Sequence, residues 1–247
     1  MSRRTFTFGL FLFALWCVVL LGGNVSRGLV KKPQLDELQI HVFDIVTRGQ
    51  KDPLAIPLWC VPLFYDRDEL EEQLRNIDYP VKQFEFVWNS DDRDVGELLG
   101  RSGKIPFGVS IRHAPESLGF SGALNHMITH SNATMDPLPA WWFLVNADAV
   151  FTPGVLNCFA KRVWGVHATH GMIYGSVQEH FASAITQRAV NTVGLWDEVF
   201  FPAYMEDIDY HWRCCIAGLG PQLITNCPFI HRGSVNIHKP NIPPRPL

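Results

Sequence analysis

Short apolar strands alternate with amphipathic helices along most of this chain, and no other feature restricts its fold so strongly. Residues 56–64 form an apolar run punctuated by Pro57 and Pro62. Asp66 then offers a helix N-cap, with Glu69 three residues on and an apolar stripe at Leu70, Leu74 and Ile77. Pro80 closes a turn, and residues 84–88 make a second strand. A third strand is predicted over 107–111, a helix over 121–131 after a glycine-containing turn, and a strongly apolar strand over 141–146. Thr152-Pro153-Gly154 reads as a helix start with proline at the first position. Residues 170–177 read as a strand and 181–193 as a helix stopped by Gly194. A last helix is expected from about Met205 to Ala217, with Gly218 beyond its end. Its buried stripe is expected at Ile208, Trp212, Cys215 and Ile216. Such alternation implies an α/β fold with a mostly parallel sheet covered on both faces by helices. A chain of 247 residues suffices for one such domain, and no internal repeat or second domain is visible.

Charge and histidine spacing exclude two classes of function. The formal net charge is −3 and the basic residues are scattered, so no basic face argues for nucleic acid. His167 and His170 lack an HExxH context and there is no CxxC pair, which argues against zinc. The N-terminus is more informative. No charge occurs between Thr5 and Ser26, and residues 6–21 are almost wholly apolar, long enough to cross a bilayer. The run exceeds the usual signal-peptide core of about 7–15 residues, favouring an uncleaved anchor over a cleaved signal. Arg3 and Arg4 are balanced by Arg27, Lys31 and Lys32, so charge leaves the orientation open. The expected organisation is a short cytoplasmic tail (1–5), a transmembrane signal anchor (6–23), a stem (24–53), one lumenal domain (54–238) and a Pro-rich tail (239–247). That is a single-pass type II protein of the Golgi or endoplasmic reticulum membrane. Asn24-Val25-Ser26 and Asn132-Ala133-Thr134 are glycosylation acceptors consistent with this placement. Of six cysteines, Cys17 lies in the apolar run. The remainder is odd in number, so at least one is free or intermolecular, and buried unpaired thiols are the alternative for the rest.

Open parallel sheets bind ligands at the carboxyl ends of their strands, and three polar clusters fall there. They are Asn89-Ser90-Asp91-Asp92, Asn146-Ala147-Asp148, and the segment entering the last helix. Together with Gly119-Phe120-Ser121-Gly122-Ala123-Leu124-Asn125, Asn146 to Phe151, Phe200 to Asp209, and His231 in Phe229-Ile230-His231-Arg232-Gly233, the series resembles glycosyltransferase family 2. Order and spacing both agree, over about residues 54–238. The resemblance implies a GT-A-type, Rossmann-like fold and sugar transfer from a nucleotide-diphosphate sugar, with inversion at the anomeric carbon. The implied partners are that donor and a glycan, protein or lipid acceptor.

The reaction needs a base for the acceptor hydroxyl and stabilisation of charge on the leaving phosphates. A hard divalent ion, Mn²⁺ or Mg²⁺, suits the second task. Asp148 is the candidate metal ligand, and the resemblance adds His231. Asn146 stands where the family often has a first acid, so weak metal binding is expected. The donor is expected to meet Asn89, Asp91, Gly119, Gly122, Asn125 and Asn146. Glycines admit close backbone approach, and a helix N-terminus offers amides to an anion. Of Glu206 and Asp207, the resemblance makes Asp207 the base. Asp209 projects elsewhere and has Arg213 four residues on as its partner. Trp196 and Tyr204 are candidates to stack on acceptor sugars. Two other readings remain: a binding protein with this fold but no catalysis, which Asn146 favours, and a nucleotidyltransferase. The latter needs a glycine- and lysine-bearing first turn, and the turn after Phe64 has neither.

Overall fold

The computed structural model describes residues 37–64, 67–89, 108–114, 116–175 and 181–232. The proposed anchor, the Asn24 acceptor, Asp66, Asp91 and the Pro-rich tail lie outside them. Among the described residues no helix is long and apolar enough to cross a membrane.

The described residues build a seven-stranded sheet. In sequence order its strands are β1 (Leu58–Leu63), β2 (Phe84–Trp88), β3 (Val109–His113), β4 (Trp141–Val145), β6 (Met172–Tyr174), β7 (Ala182–Thr186) and β8 (Gln222–Leu223). A separate ribbon pairs β5 (Ala149–Val150) with β9 (Ile230–His231). Across the large sheet the order is β3-β2-β1-β4-β7-β6-β8. β1 lies parallel to both β2 and β4, while β7 runs antiparallel to β4 and β6. The sheet is therefore mixed, with one reversed strand in an otherwise parallel array.

β1 and β4 are buried along their whole length, which is why they read as unbroken apolar runs. Their side chains alternate between two cores. Trp59, Val61, Trp141 and Phe143 face one, with Phe159 and Phe229; Leu58, Cys60, Trp142 and Leu144 face the other. Pro62 is tolerated inside β1. Trp59 gives its amide to Gln83 on the β2 side, so by alternation position 62 faces β4, and registered pairing there ends at Cys60 with Leu144.

Six described helices flank the sheet: α1 (Glu37–Gly49), α2 (Arg67–Arg75), α3 (Gly119–Thr134), α4 (Val155–Val166), α5 (Gln187–Val193) and α6 (Glu206–Ile216). α1 corrects the stem boundary. Leu38, Val42, Ile45 and Val46 recur at helical spacing and are fully buried in the same core as Trp59 and Phe84. The segment from Glu37 belongs to the domain.

α3 is pinned to the sheet from beneath. Trp142 Nε1 donates to Ser131 Oγ at 2.7 Å, and His130 Nδ1 lies 2.7 Å from the buried Glu85 carboxylate. Two further boundaries differ from the pattern reading. Residues 181–193 split into β7 and α5, because Thr186 leaves the strand and caps the helix, its hydroxyl accepting from Ala189 N at 3.1 Å. α4 begins after Gly154, which caps it in the left-handed region at φ 82°, so Pro153 precedes the helix.

α6 reverses its expected face. Glu206, Tyr210 and Cys214 are its buried residues, whereas Trp212 is 62% and Ile216 84% exposed. Tyr210 fills the core by stacking on Trp196 at 4.4 Å, and its hydroxyl donates to Gly194 O at 3.1 Å. A phenol with a partner for its polar tip outcompetes the aliphatic stripe.

Candidate active site

The site lies at the carboxyl ends of β1 and β4. Chain order reverses there, with β2 to one side of β1 and β4 to the other. A cavity of about 280 Å³ opens beside β4, lined by Asn146, Phe181, Ser183, Trp196, Tyr204, Glu206, Asp207 and His231 among others. Five predicted site residues besides Asn146 thus converge on one space from distant segments of the chain.

Asp148 and His231 meet. β5 follows Asp148 directly and pairs with β9, setting Ala149 opposite His231. The His231 Nε2 and Asp148 Oδ1 are 3.1 Å apart, and both side chains are almost wholly buried. The Phe181 ring stacks flat on the imidazole at 4.4 Å. A carboxylate and an imidazole sharing one hydrogen are a donor set that a hard divalent ion fits, the ion taking that hydrogen's place. Among the described residues no group of three His, Cys, Asp or Glu could hold a metal. Among the described residues this site therefore offers two candidate ligands.

Glu206 and Asp207 open α6 after two residues with left-handed backbone, Tyr204 at φ 83° and Met205 at φ 74°. Non-glycine residues adopt that region at a cost, and such strain persists where the surroundings enforce it. Glu206 is 6% exposed, and its Oε2 has no hydrogen-bond partner among the described residues. Burial chiefly, with the neighbouring Asp207 charge adding, pushes its carboxyl up to about 7 against opposing backbone hydrogen bonds. Asp207 is half-buried beside it. Asp209 pairs with Arg213 at 2.7 Å, away from both.

Four residues expected at the donor are engaged inside the protein instead. Asn89 donates to Gly119 O at 2.8 Å and accepts from Leu118 N at 2.5 Å. Asn125 accepts from Trp196 N at 2.8 Å and donates to Trp196 O and Glu198 Oε1, each at 2.9 Å. A Cβ on Gly119, at φ 67°, would meet the Phe201 ring at 2.7 Å; one on Gly122 would meet Leu118 at 3.0 Å. Three amides at the start of this helix are taken too. Leu118 N goes to Asn89, Gly119 N to Ser117 Oγ at 3.4 Å, and Phe120 N to Pro202 O at 2.7 Å. This cluster shapes the site by clamping α3 to the loop that carries Trp196 and Tyr204. Asn146 does line the cavity.

Phe181 and Glu198 escaped the sequence reading. No spacing signal marks either, because their partners are far away in the chain.

No family model matches the chain. It is similar to a protein described as a galactofuranosyl glycosyltransferase from Leishmania donovani, 23% identical over 274 aligned residues. The match covers 82% of this chain and 62% of that relative, so the chain spans less than two thirds of the relative's length. A crystal structure of glucosyl-3-phosphoglycerate synthase from Mycobacterium tuberculosis, in complex with Mn²⁺, uridine diphosphate and glucosyl-3-phosphoglycerate, matches 78% of this chain at 11% identity and TM-score 0.48, over 76% of its own length.

Proposed function

We propose that this protein is an inverting glycosyltransferase of the GT-A type, acting in the secretory pathway on a nucleotide-diphosphate sugar and an acceptor hydroxyl. The observation that carries the reading is the pocket. It sets His231, whose imidazole is paired with Asp148 behind it in an arrangement suited to a diphosphate-bound cation, on one wall with a carboxylate pair suited to proton transfer. Two buried polar atoms on its lining residues, Trp196 Nε1 and Glu206 Oε2, have no partner among the described residues. Both atoms belong to residues that line the cavity, and a sugar hydroxyl brought against either would satisfy it.

In this mechanism Asp207 accepts the acceptor hydroxyl proton as the acceptor oxygen bonds to the anomeric carbon. The bond from that carbon to the diphosphate breaks on the opposite face, and the nucleotide diphosphate leaves with the electron pair. Glu206 and Trp196 orient the acceptor, and Asn146 faces the donor. Asp148 and His231 would hold Mn²⁺ or Mg²⁺, which supplies positive charge to the leaving phosphates.

Incubating the purified protein with a panel of nucleotide sugars, with and without Mn²⁺, tests the reading. The name of the Leishmania relative makes a galactofuranose donor the first to try. Metal-dependent transfer or donor hydrolysis is expected, and Asp148→Ala should weaken nucleotide binding in Mn²⁺ by about tenfold or more. Tight nucleotide binding with no turnover on any donor would instead support a non-catalytic binding protein.

The secretory placement rests on the apolar run at 6–21, and the Cys158–Cys227 disulfide supports it, since such bonds persist in oxidising compartments. Protease added to sealed microsomes should leave the domain intact until detergent is present; complete digestion without detergent would refute a lumenal domain. Asn132 lies in the last turn of α3 with its side-chain oxygen buried, so any glycan there is attached before that turn closes.

A further inference from the structure

Helix α2 reaches both arms of the Asp148–His231 pair, although none of its residues lines the cavity. Gln73 lies between Leu70 and Leu74 on the buried face of α2 and is only 1% exposed. An apolar residue would fill such a position at less desolvation cost. Its Nε2 donates to the carbonyls of Asn146 at 2.7 Å, Ala147 at 3.2 Å and Ala149 at 3.3 Å. These are the carbonyls of the turn that carries Asp148. The chain has left β4 at Asn146 and enters β5 at Ala149, so these carbonyls span the turn between the two strands, where the ladder offers them few donors. The Gln73 Oε1 is buried without a partner among the described residues. A core amide kept with one half unsatisfied is explained by what its other half holds. One residue earlier, Glu72 takes both ends of the Arg232 guanidinium, each contact 2.5 Å. Arg232 follows His231, and its amide points to Asp148 O at 3.4 Å.

We infer that Gln73, assisted by Glu72, is the positioning residue of the divalent-cation site, fixing the Asp148 turn and the His231 strand in the register where their side chains meet. The inference rests on reading that pair as metal ligands. Partners behind a ligand set its orientation, and losing one typically costs about 10–100-fold in metal affinity.

Mn²⁺ binding with UDP as the nucleotide probe, followed by electron paramagnetic resonance, tests this without any turnover. Gln73→Met keeps the volume, removes the donor and should weaken Mn²⁺ by about 10–100-fold. Glu72→Gln, on the surface and harmless to folding, should weaken it several-fold. Glu71→Gln loses an exposed pair with Arg75 on the same helix and should change nothing. In an Asp148→Ala background Gln73→Met should add no further loss, because its effect passes through that carboxylate. Wild-type Mn²⁺ affinity in both Gln73→Met and Glu72→Gln, or an equal loss in the Asp148→Ala background, overturns the positioning role alone. A wild-type protein that binds no Mn²⁺ with UDP overturns the metal-ligand reading and this inference with it.

Discussion

Asp207→Asn is expected to fold and to bind nucleotide nearly as the wild type does, yet to transfer sugar ~10²–10⁴-fold more slowly, the usual loss when general-base help is removed. The substitution keeps size and polarity and removes only the proton-accepting charge. Two neighbours make the experiment decisive. Asp209→Asn breaks a pair with Arg213 in which both side chains remain partly exposed. Such a pair contributes only ~0–1 kcal/mol, so that variant should keep most of its activity. Glu206→Gln should retain more transfer than Asp207→Asn and should alter stability instead. The Glu206 carboxyl is raised to about 7 by burial, above its ordinary unfolded value, so the native state holds that proton more tightly. The stability it contributes is complete below about pH 4.5 and is lost as pH climbs through about 7. At pH 8 the wild type carries a cost of up to ~3 kcal/mol that the Glu206→Gln variant would not carry. Urea melts at pH 5 and pH 8 should therefore show the two proteins diverging only at the higher pH. If Glu206→Gln loses transfer and Asp207→Asn keeps it, the base is Glu206 and the assignment of Asp207 fails.

The two acids illustrate what a sequence displays and what it hides. β1 and β4 were legible because strands buried on both faces must be apolar at every position. The Asp148–His231 pair was not legible from spacing, since its members lie far apart and meet only through the β5–β9 ribbon; the family resemblance supplied it. α6 misled the pattern reading because two stripes of equal period run along it. Ile208, Trp212 and Ile216 form one, and Glu206, Tyr210 and Cys214 the other, which is the face actually buried. Hydrophobicity alone prefers the first, and only the Trp196 ring waiting opposite Tyr210 decides for the second. Asn89, Gly119 and Asn125 show the converse. Each is singled out in the sequence for the donor, but each is engaged by a turn or a loop distant in sequence. Side-chain amides can serve a ligand or a backbone equally well, and no local pattern separates the two. α1, by contrast, could have been read from Leu38, Val42, Ile45 and Val46.

Breaking the Cys158–Cys227 disulfide should destabilise the protein by about 4 kcal/mol, because the cross-link closes a loop with a sequence separation of 69 and so restricts the unfolded chain. For a protein of this size that corresponds to a fall of roughly 10 °C in melting temperature. The loss should also reach the site. Cys158 sits on α4, and Cys227 precedes the Phe229–Ile230–His231 segment, in which Phe229 packs on Phe159 at 4.8 Å. Without the bond the segment keeps its aromatic contacts, the Glu72–Arg232 pair and the short β5–β9 ribbon but loses its covalent tie to α4, so Mn²⁺ and nucleotide binding should weaken beyond what the fraction folded explains. The double variant Cys158→Ser, Cys227→Ser is the sample, with Cys215→Ser, a half-exposed thiol outside the bond, as control. Melting curves give the stability term, and nucleotide titration well below the melting range gives the site term. Alkylation followed by mass spectrometry on protein taken from sealed membranes adds the cellular half of the test. Protection of residues 158 and 227 beside labelling of Cys215 is the expected pattern. Full labelling of all three would remove the disulfide, and with it the argument that the domain matures in an oxidising lumen.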